Sequence, residues 1–243
     1  MSRPLYLLYA AAAYAVFFAT FLYLIAFVGN IPVVPRTVDV GPALPAGSAL
    51  AIDLGLIALF GIQHSVMARA GFKAWWTRTV PAPIERSTYV LFASIALILL
   101  FALWHPIAGT VWAVSGIPAV LVWVVFASGW GIVLLTTFLL DHFELFGLSQ
   151  VFHHWRGSHA PTPQLRQPLF YKLVRHPLYS GFFLAFWATP VMSVGHLVLA
   201  LGMSAYMLVA ITYEERDLVR LFGQDYEAYR RRVGKLAPRI RRA

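Results

Sequence analysis

The chain contains no cysteine. Disulfides, thiolate metal sites and a cysteine nucleophile are thereby excluded together. Charge is scarce as well. Only 12% of the 243 residues are Asp, Glu, Lys or Arg, and the acids are scarcest, ten against nineteen basic residues. Soluble domains carry about twice that fraction, so this chain has too few charges to clothe a water-facing surface. No internal repeat or low-complexity tract stands out. No His-Glu-x-x-His spacing or comparable ligand pattern is present, and the sequence predicts no metal.

Hydrophobic residues make up 60% of the chain, above the usual ~45–50% of soluble domains. They come in blocks, and blocks of roughly 18 or more apolar residues read as membrane spans. Four are clear, at about 5–28, 48–68, 88–104 and 117–140. A fifth region, 178–213, is too long for one span. Pro190, Ser193 and Gly195 interrupt it, so it reads as a tight helical hairpin with a short first arm. The first block reads as a span rather than a signal peptide, because its apolar run far exceeds the ~7–15 residues of such a segment and no small-residue cleavage site follows. The expected fold is all-α, a polytopic integral membrane helix bundle of five to six transmembrane helices. One transmembrane domain, 1–243, would contain a four-helix part (1–140), a loop (141–177), the hairpin (178–213) and an amphipathic tail (214–243).

A formal charge of +9 could suggest nucleic acid, but its distribution points to membrane orientation. With the hairpin counted as two crossings, eighteen of the nineteen Lys and Arg fall on one side and Arg36 alone falls on the other. The positive-inside rule then places both termini and every basic loop in the cytoplasm. The partners implied are the lipid bilayer and a small molecule, with no nucleic acid and no obligate protein partner.

The same side collects the polar chemistry. It carries QHSVMAR (63–69), ERSTY (85–89), DHFELFGLSQVFHHW (141–155), LVRHPLYSGF (173–182) and EERDLVRLFGQDYEAYRRRV (214–233). Asp53 and His64 are eleven residues apart on the second span. That spacing puts them on one helix face, about 16 Å apart along the axis. His64 fits either a functional group or a satisfied structural hydrogen bond. Asp53, near the external end, reads as structural or capping. Asp141 and Glu144, at i and i+3, fit a cation or base-orienting pair, or helix-end charges for Arg69 or Arg86. His153, His154 and His159 form only a loose cluster. Leu218, Leu221, Phe222, Tyr226, Tyr229 and Val233 fall at helical spacing among basic residues, as in a helix lying on an anionic membrane surface.

Arg175-His176-Pro177-x-Tyr179-x-Gly181, followed by the hairpin and then Glu214-Glu215, resembles the C-terminal half of integral-membrane methyltransferases. These are related to isoprenylcysteine carboxyl methyltransferase and phospholipid N-methyltransferases. The tail, Phe222-Gly223, Tyr226, Tyr229, Arg232 and Val233, is similar as well. QHSVMAR, ERSTYVLFAS and DHFELFGLSQ extend the resemblance to bacterial methanethiol S-methyltransferases, and to proteins associated with denitrification clusters.

That resemblance implies S-adenosylmethionine as cofactor, a small thiol as substrate and a bacterial cytoplasmic membrane. It implies that His176 and Tyr179 contact the cofactor, that Pro177 holds the turn and that Gly181 permits close approach. Arg175 would face the methionine carboxylate. Glu214 and Glu215 would bind the amine or ribose and anchor Arg175 or a tail arginine, and Tyr226, Tyr229 and Arg232 would cap the pocket. Thiol methylation needs the thiolate, and His64 is the first candidate base, with Asp141-His142 the second. Two other readings compete. One is an NADPH-dependent membrane reductase of the sterol type, which Leu178 and Phe182 disfavour by replacing that group's Asn and Glu. The other is a non-enzymatic transporter or assembly factor, against which no inverted repeat is visible.

Overall fold

The computed structural model describes residues 3–158 and 165–239. In chain order the elements are α1 (Arg3–Val28), α2 (Ala46–Met67), α3 (Ala70–Trp76), α4 (Ala82–Leu103), β1 (Thr110–Ala113), α5 (Gly116–Leu140), α6 (His142–Leu145) and α7 (Leu148–Arg156). A 3-10 turn (Leu169–Lys172) precedes α8 (Pro177–Trp187), β2 (Val191–Ser193), α9 (Val194–Phe222) and α10 (Gln224–Arg232). Among the described residues five helices are long and apolar enough to cross a membrane: α1, α2, α4, α5 and α9. The protein is an all-α polytopic membrane protein, and among the described residues the only strands are two short segments that pair with each other.

The chain forms two compact units. The first contains α1 to α4, α6, α7 and the first residues of α9. Here α1 and α2 both pack on α4, and α7 packs on α1 and α4. At one end the backbone is pinned by polar side chains. The Trp104 indole donates to the Val38 carbonyl at 3.1 Å, the His105 amide donates to Asp53 Oδ1 at 3.0 Å, and Arg36 donates to the Ala102 carbonyl. Asp53 therefore secures the chain where it leaves α4. At the other end Tyr6, Ala10, Ile84 and Val151 form one apolar cluster, and Met67, Tyr89 and Val90 form a second, against which Phe17, Phe72, Trp76 and Phe146 pack.

The second unit contains α5, α8, most of α9, α10 and the segment leading into α8. Its organising contact is between α5 and α8. A Cβ on Gly129 would lie 2.7 Å from the Ala185 nitrogen, and one on Gly181 would lie 2.7 Å from the Gly129 carbonyl oxygen. The two helices thus touch backbone to backbone, as small residues allow in membranes. The contacts run antiparallel, since Gly129 meets Gly181, Leu184 and Ala185, while Val133 meets Gly181.

That register sets the depth of the Arg175-His176 motif. Gly129 lies eleven residues before the end of α5, and Gly181 four residues into α8. Because Gly129 sits between Gly181 and Ala185, about six residues into α8, the start of α8 lies about 8 Å short of the end of α5 at 1.5 Å per residue. The Arg175-His176 motif is sunk below the helix end. α8 has 11 residues and is about 16 Å long, half of a ~30 Å hydrocarbon core. Beyond it the chain is non-helical, with Thr189 and Met192 buried. Its far end is tied by the Trp112 indole to the Thr189 carbonyl at 3.0 Å and by the Val114 amide to the Pro190 carbonyl at 2.9 Å. Irregular backbone at membrane depth is tolerated where protein surrounds it and its polar groups are paired.

Three boundaries differ from the sequence reading. The stretch 141–177 is partly helical, with α6 and α7 inside it. α9 continues to Phe222, so Glu214 and Glu215 lie on the helix. The tail is not one helix, because Gly223 at φ 54° separates α9 from α10.

Candidate functional site

The densest polar cluster of the second unit begins at Arg175. Its Nε donates to Glu215 Oε1 at 2.9 Å, and its Nη2 stands 2.8 Å from the same oxygen. Its Nη1 donates to the Arg230 carbonyl at 3.1 Å and to the Val233 carbonyl. His176, 3% exposed, brings Nε2 to 3.1 Å from Glu215 Oε1 and Nδ1 to 3.9 Å from Glu214 Oε1. Arg230 Nε lies 3.9 Å from Glu215 Oε2. Glu215 is thus the buried hub of three basic side chains. Glu214, one residue earlier on α9, keeps a side chain 44% exposed.

The segment after α10 is strapped along the motif. Arg175 and His176 donate their amides to the carbonyls of Gly234 (2.8 Å) and Lys235 (3.1 Å), and the Ser180 hydroxyl donates to the Leu236 carbonyl at 2.8 Å. Pro177 occupies the first turn of α8, where its missing N–H is not needed. The Tyr179 ring meets the His176 ring edge-on at 5.8 Å. Tyr226, Tyr229 and Val233 pack with Leu165, Leu218, Val219 and Phe222. Tyr229 donates its hydroxyl to the Tyr171 carbonyl at 2.6 Å. Burial pushes its phenol up to about 12 against the opposing pull of Arg175 and Arg232. Burial first, and the Glu215 carboxylate second, push the Tyr226 phenol up. Both phenols are neutral at physiological pH. Arg232 is exposed and reaches Gln167 Oε1 at 3.4 Å. Arg230, not singled out in the sequence, is the tail arginine beside Glu215.

His64, Asp141 and His142 lie in the first unit. His64 Nε2 is 2.7 Å from the Tyr89 hydroxyl, which also donates to the His64 carbonyl at 3.3 Å. The Phe60 ring stacks on His64 at 5.3 Å, and the Arg86 guanidinium lies 4.9 Å from the Tyr89 ring centre. His142 repeats the pattern, with Nε2 2.8 Å from the Tyr14 hydroxyl. Phe146 packs on His142 at 4.8 Å and stacks on Phe17 at 3.9 Å. Burial holds the His142 imidazole below its ordinary pKa, and Asp141 only partly opposes this. Asp141 caps α6 by accepting the Glu144 amide at 3.0 Å. Arg86 donates to the Leu145 carbonyl at 2.8 Å and Ser87 to the Gly147 carbonyl at 3.2 Å, fixing α6 to α4.

Two histidine–tyrosine pairs therefore border one aromatic patch. Tyr89 lies inside the quoted ERSTY, but nothing in its spacing marks it as a partner of His64. Tyr14 is one aromatic residue in an apolar run and gives no sequence signal. His153 pairs with the Ser158 hydroxyl at 2.9 Å, the His154 ring packs at a tilt against Tyr6 at 5.5 Å, and His159 lies outside the described residues. Among the described residues no three His, Cys, Asp or Glu side chains are grouped to hold a metal ion.

No family model matches the chain, and no solved structure matches it. It is 52% identical to methanethiol S-methyltransferase 2 of Bradyrhizobium diazoefficiens, over 98% of this chain and 92% of that protein. It is 51% identical to methanethiol S-methyltransferase of Mycobacterium tuberculosis, over 98% of both chains. A more distant likeness, 32% identity over 72% of this chain and 70% of the other, joins it to Nurim of Sus scrofa. With half of its residues shared end to end with such proteins, the chain belongs to the methanethiol S-methyltransferase family.

Proposed function

We propose that the protein transfers a methyl group from S-adenosylmethionine to methanethiol, forming dimethyl sulfide, with its polar residues on the cytoplasmic side of the inner membrane and both termini in the cytoplasm. The observation that carries this reading is the identity of about half, over 98% of the chain, to relatives named for that reaction.

The second unit fits the cofactor on a structural ground. Tyr226 is 1% exposed, and its hydroxyl has no hydrogen-bond partner. It lies close enough to Glu215, Arg175 and Glu214 for their charges to act on it. A buried phenol without a partner beside a half-open carboxylate suits a polar ligand. Bound S-adenosylmethionine supplies a methyl group on a sulfonium, which a thiolate accepts by in-line displacement. Tyr226 and Glu214 would hold amine and ribose hydroxyls, and His176 and Tyr179 would line the site. Pro177 and Gly181 fix the backbone that presents them. Arg175, Glu215 and Tyr229 hold the tail against the motif and act as positioning residues. Arg232 reaches Gln167 at the surface, and this reading gives it no step of its own.

On the acceptor side the sulfur must lose its proton. His64 takes it, leaving the thiolate as nucleophile, and Tyr89 orients the imidazole. His142, kept neutral by burial and hydrogen-bonded to Tyr14, is the second candidate base, on a helix capped by Asp141. A small apolar thiol needs only an apolar slot, and orientation supplies the remaining acceleration.

The test is transfer of labelled methyl to a panel of methanethiol, a small carboxylic acid and a primary amine by protein purified in detergent. Label is expected with methanethiol. Label in the acid or the amine, with none in the thiol, would overturn the assignment.

A further inference from the structure

Arg86 is a charge without a counter-ion. It is partly buried on α4, and its Nε donates to the Leu145 carbonyl at 2.8 Å. Its guanidinium carbon lies 4.9 Å from the Tyr89 ring centre, a contact that attracts the charge without neutralising it. Among the described residues it forms no ion pair, and neither Nη1 nor Nη2 donates a hydrogen bond. Glu85 is its neighbour in the chain but lies about 100° round the helix. A charge drawn from water and left unpaired is costly, so a fold that keeps one calls for a reason.

Arg86 and His64 share Tyr89. The His64 ring centre is 5.0 Å from that of Tyr89, and its Nε2 is 2.7 Å from the Tyr89 hydroxyl. Both groups therefore stand within 5.0 Å of one ring centre, and the Arg86 charge acts on His64. The neighbouring walls are apolar, since Phe17, Phe72, Trp76 and Phe146 pack on the cluster of Met67, Tyr89 and Val90. The other charged groups nearby are Lys73, Arg69 and Glu85. Burial, more than any of these charges, holds the Lys73 amine below its ordinary pKa.

A thiol acceptor needs such a charge. Alkyl thiols titrate above the ~8.5 of cysteine, so little thiolate exists near neutral pH. A cation close by lowers the pKa of a thiol, and it does so more strongly between apolar walls than in water. His64 accounts for the proton but not for the negative charge left on sulfur.

We propose that Arg86 supplies the positive charge of the acceptor site and holds the sulfur of methanethiol in its ionised form beside His64. The S–H bond breaks, the proton passes to the His64 imidazole, and the electron pair stays on sulfur in the field of Arg86. That pair then forms the new S–CH3 bond as the sulfonium C–S bond of the donor breaks. Arg86 acts through its charge, and its bond to the Leu145 carbonyl fixes where that charge stands. This rests on the methyltransferase reading above.

The test is turnover of the full chain in detergent against pH, from about 6 to 10, with methanethiol and S-adenosylmethionine both saturating. Turnover at saturation reports groups in the bound complex. The wild-type rate should rise to its plateau with a midpoint below the pKa of free methanethiol. Arg86→Gln should lower turnover about tenfold or more at neutral pH and raise the midpoint by about one unit or more. Its rate should recover toward wild type at the alkaline end. Arg86→Lys, which keeps the charge, should hold the midpoint within about half a unit of wild type. An equal loss at every pH in Arg86→Gln, or no loss, would overturn the role of the charge and leave the methyltransferase reading standing. A wild-type midpoint equal to the pKa of free methanethiol would overturn it too, whether or not Arg86→Gln folds. A folded wild-type protein that forms no dimethyl sulfide would overturn both.

Discussion

Residue by residue, the site rests on side chains that hold one another. Glu215 is a hub only because Arg175 and His176 are consecutive and α9 passes both. Removing one member of such a buried group leaves the others uncompensated. The basic role proposed for His64 is separable from cofactor binding. His64→Ala should lower turnover at least ~100-fold, in the range expected of a general base, with cofactor affinity within about twofold of wild type. Tyr89→Phe, which keeps the ring and removes the 2.7 Å partner, should lower turnover about tenfold with cofactor affinity again unchanged. Stopped turnover with equal loss of cofactor affinity would return His64 to a structural role. His142 carries a pH dependence. Its folded-state pKa lies below 6.5 because of burial, so the unfolded chain binds more protons as pH falls through that value. Stability should therefore be full above pH 6.5 and decline on acidification below it. The thermal midpoint of the wild-type protein should fall on acidification from about pH 7.5 to 5.5, and His142→Gln should flatten that slope. An unchanged slope in the variant would place the acid sensitivity elsewhere. Of these residues, His64, His142, Arg175, His176, Glu214 and Glu215 are legible in the sequence, because polar groups at the ends of apolar runs stand out. Tyr14 and Tyr89 are not, because each is an ordinary residue within a span and its significance lies in a partner that only folding reveals.

Among the elements, the long spans are the most legible. α1 is apolar from Leu5 to Val28, and α5 has no charged residue between Gly116 and Leu140, so composition alone defines them. The ends are less so. α4 begins at Ala82 rather than near 88, which puts Arg86, Ser87 and Thr88 on a helix, where they tie down α6 and α1. The helices of the 70–76 and 142–156 stretches escape a hydropathy reading because they are short and mixed. The hairpin is legible as an interruption. Its depth is not, since that follows from the contact of Gly129 with Gly181. Gly181→Ala tests that contact. The added Cβ would meet the Gly129 carbonyl at 2.7 Å and the Val133 nitrogen at 3.0 Å, and backbone cannot swing aside as a side chain can. The cost should be about 1–3 kcal/mol, read as a lower thermal midpoint in detergent together with weaker cofactor binding. An unchanged midpoint would mean that α5 and α8 are not held this closely.

For the whole molecule, the sequence and the structure give different halves of the account. Eighteen of nineteen basic residues on one side of five spans and a short hairpin arm set the expected orientation, which no single element carries. The structure adds that the polar cluster around Glu215 belongs to one unit and the histidine–tyrosine pairs to the other. The methyltransferase reading follows from half-identity along almost the entire chain, joined to a buried Tyr226 hydroxyl that lacks a partner. The most direct measurement is headspace gas chromatography over protein purified in detergent and supplied with methanethiol and S-adenosylmethionine. The account predicts dimethyl sulfide and S-adenosylhomocysteine in equal amounts, formed only when protein and both substrates are present. Folded protein that binds S-adenosylmethionine yet forms no dimethyl sulfide would contradict it.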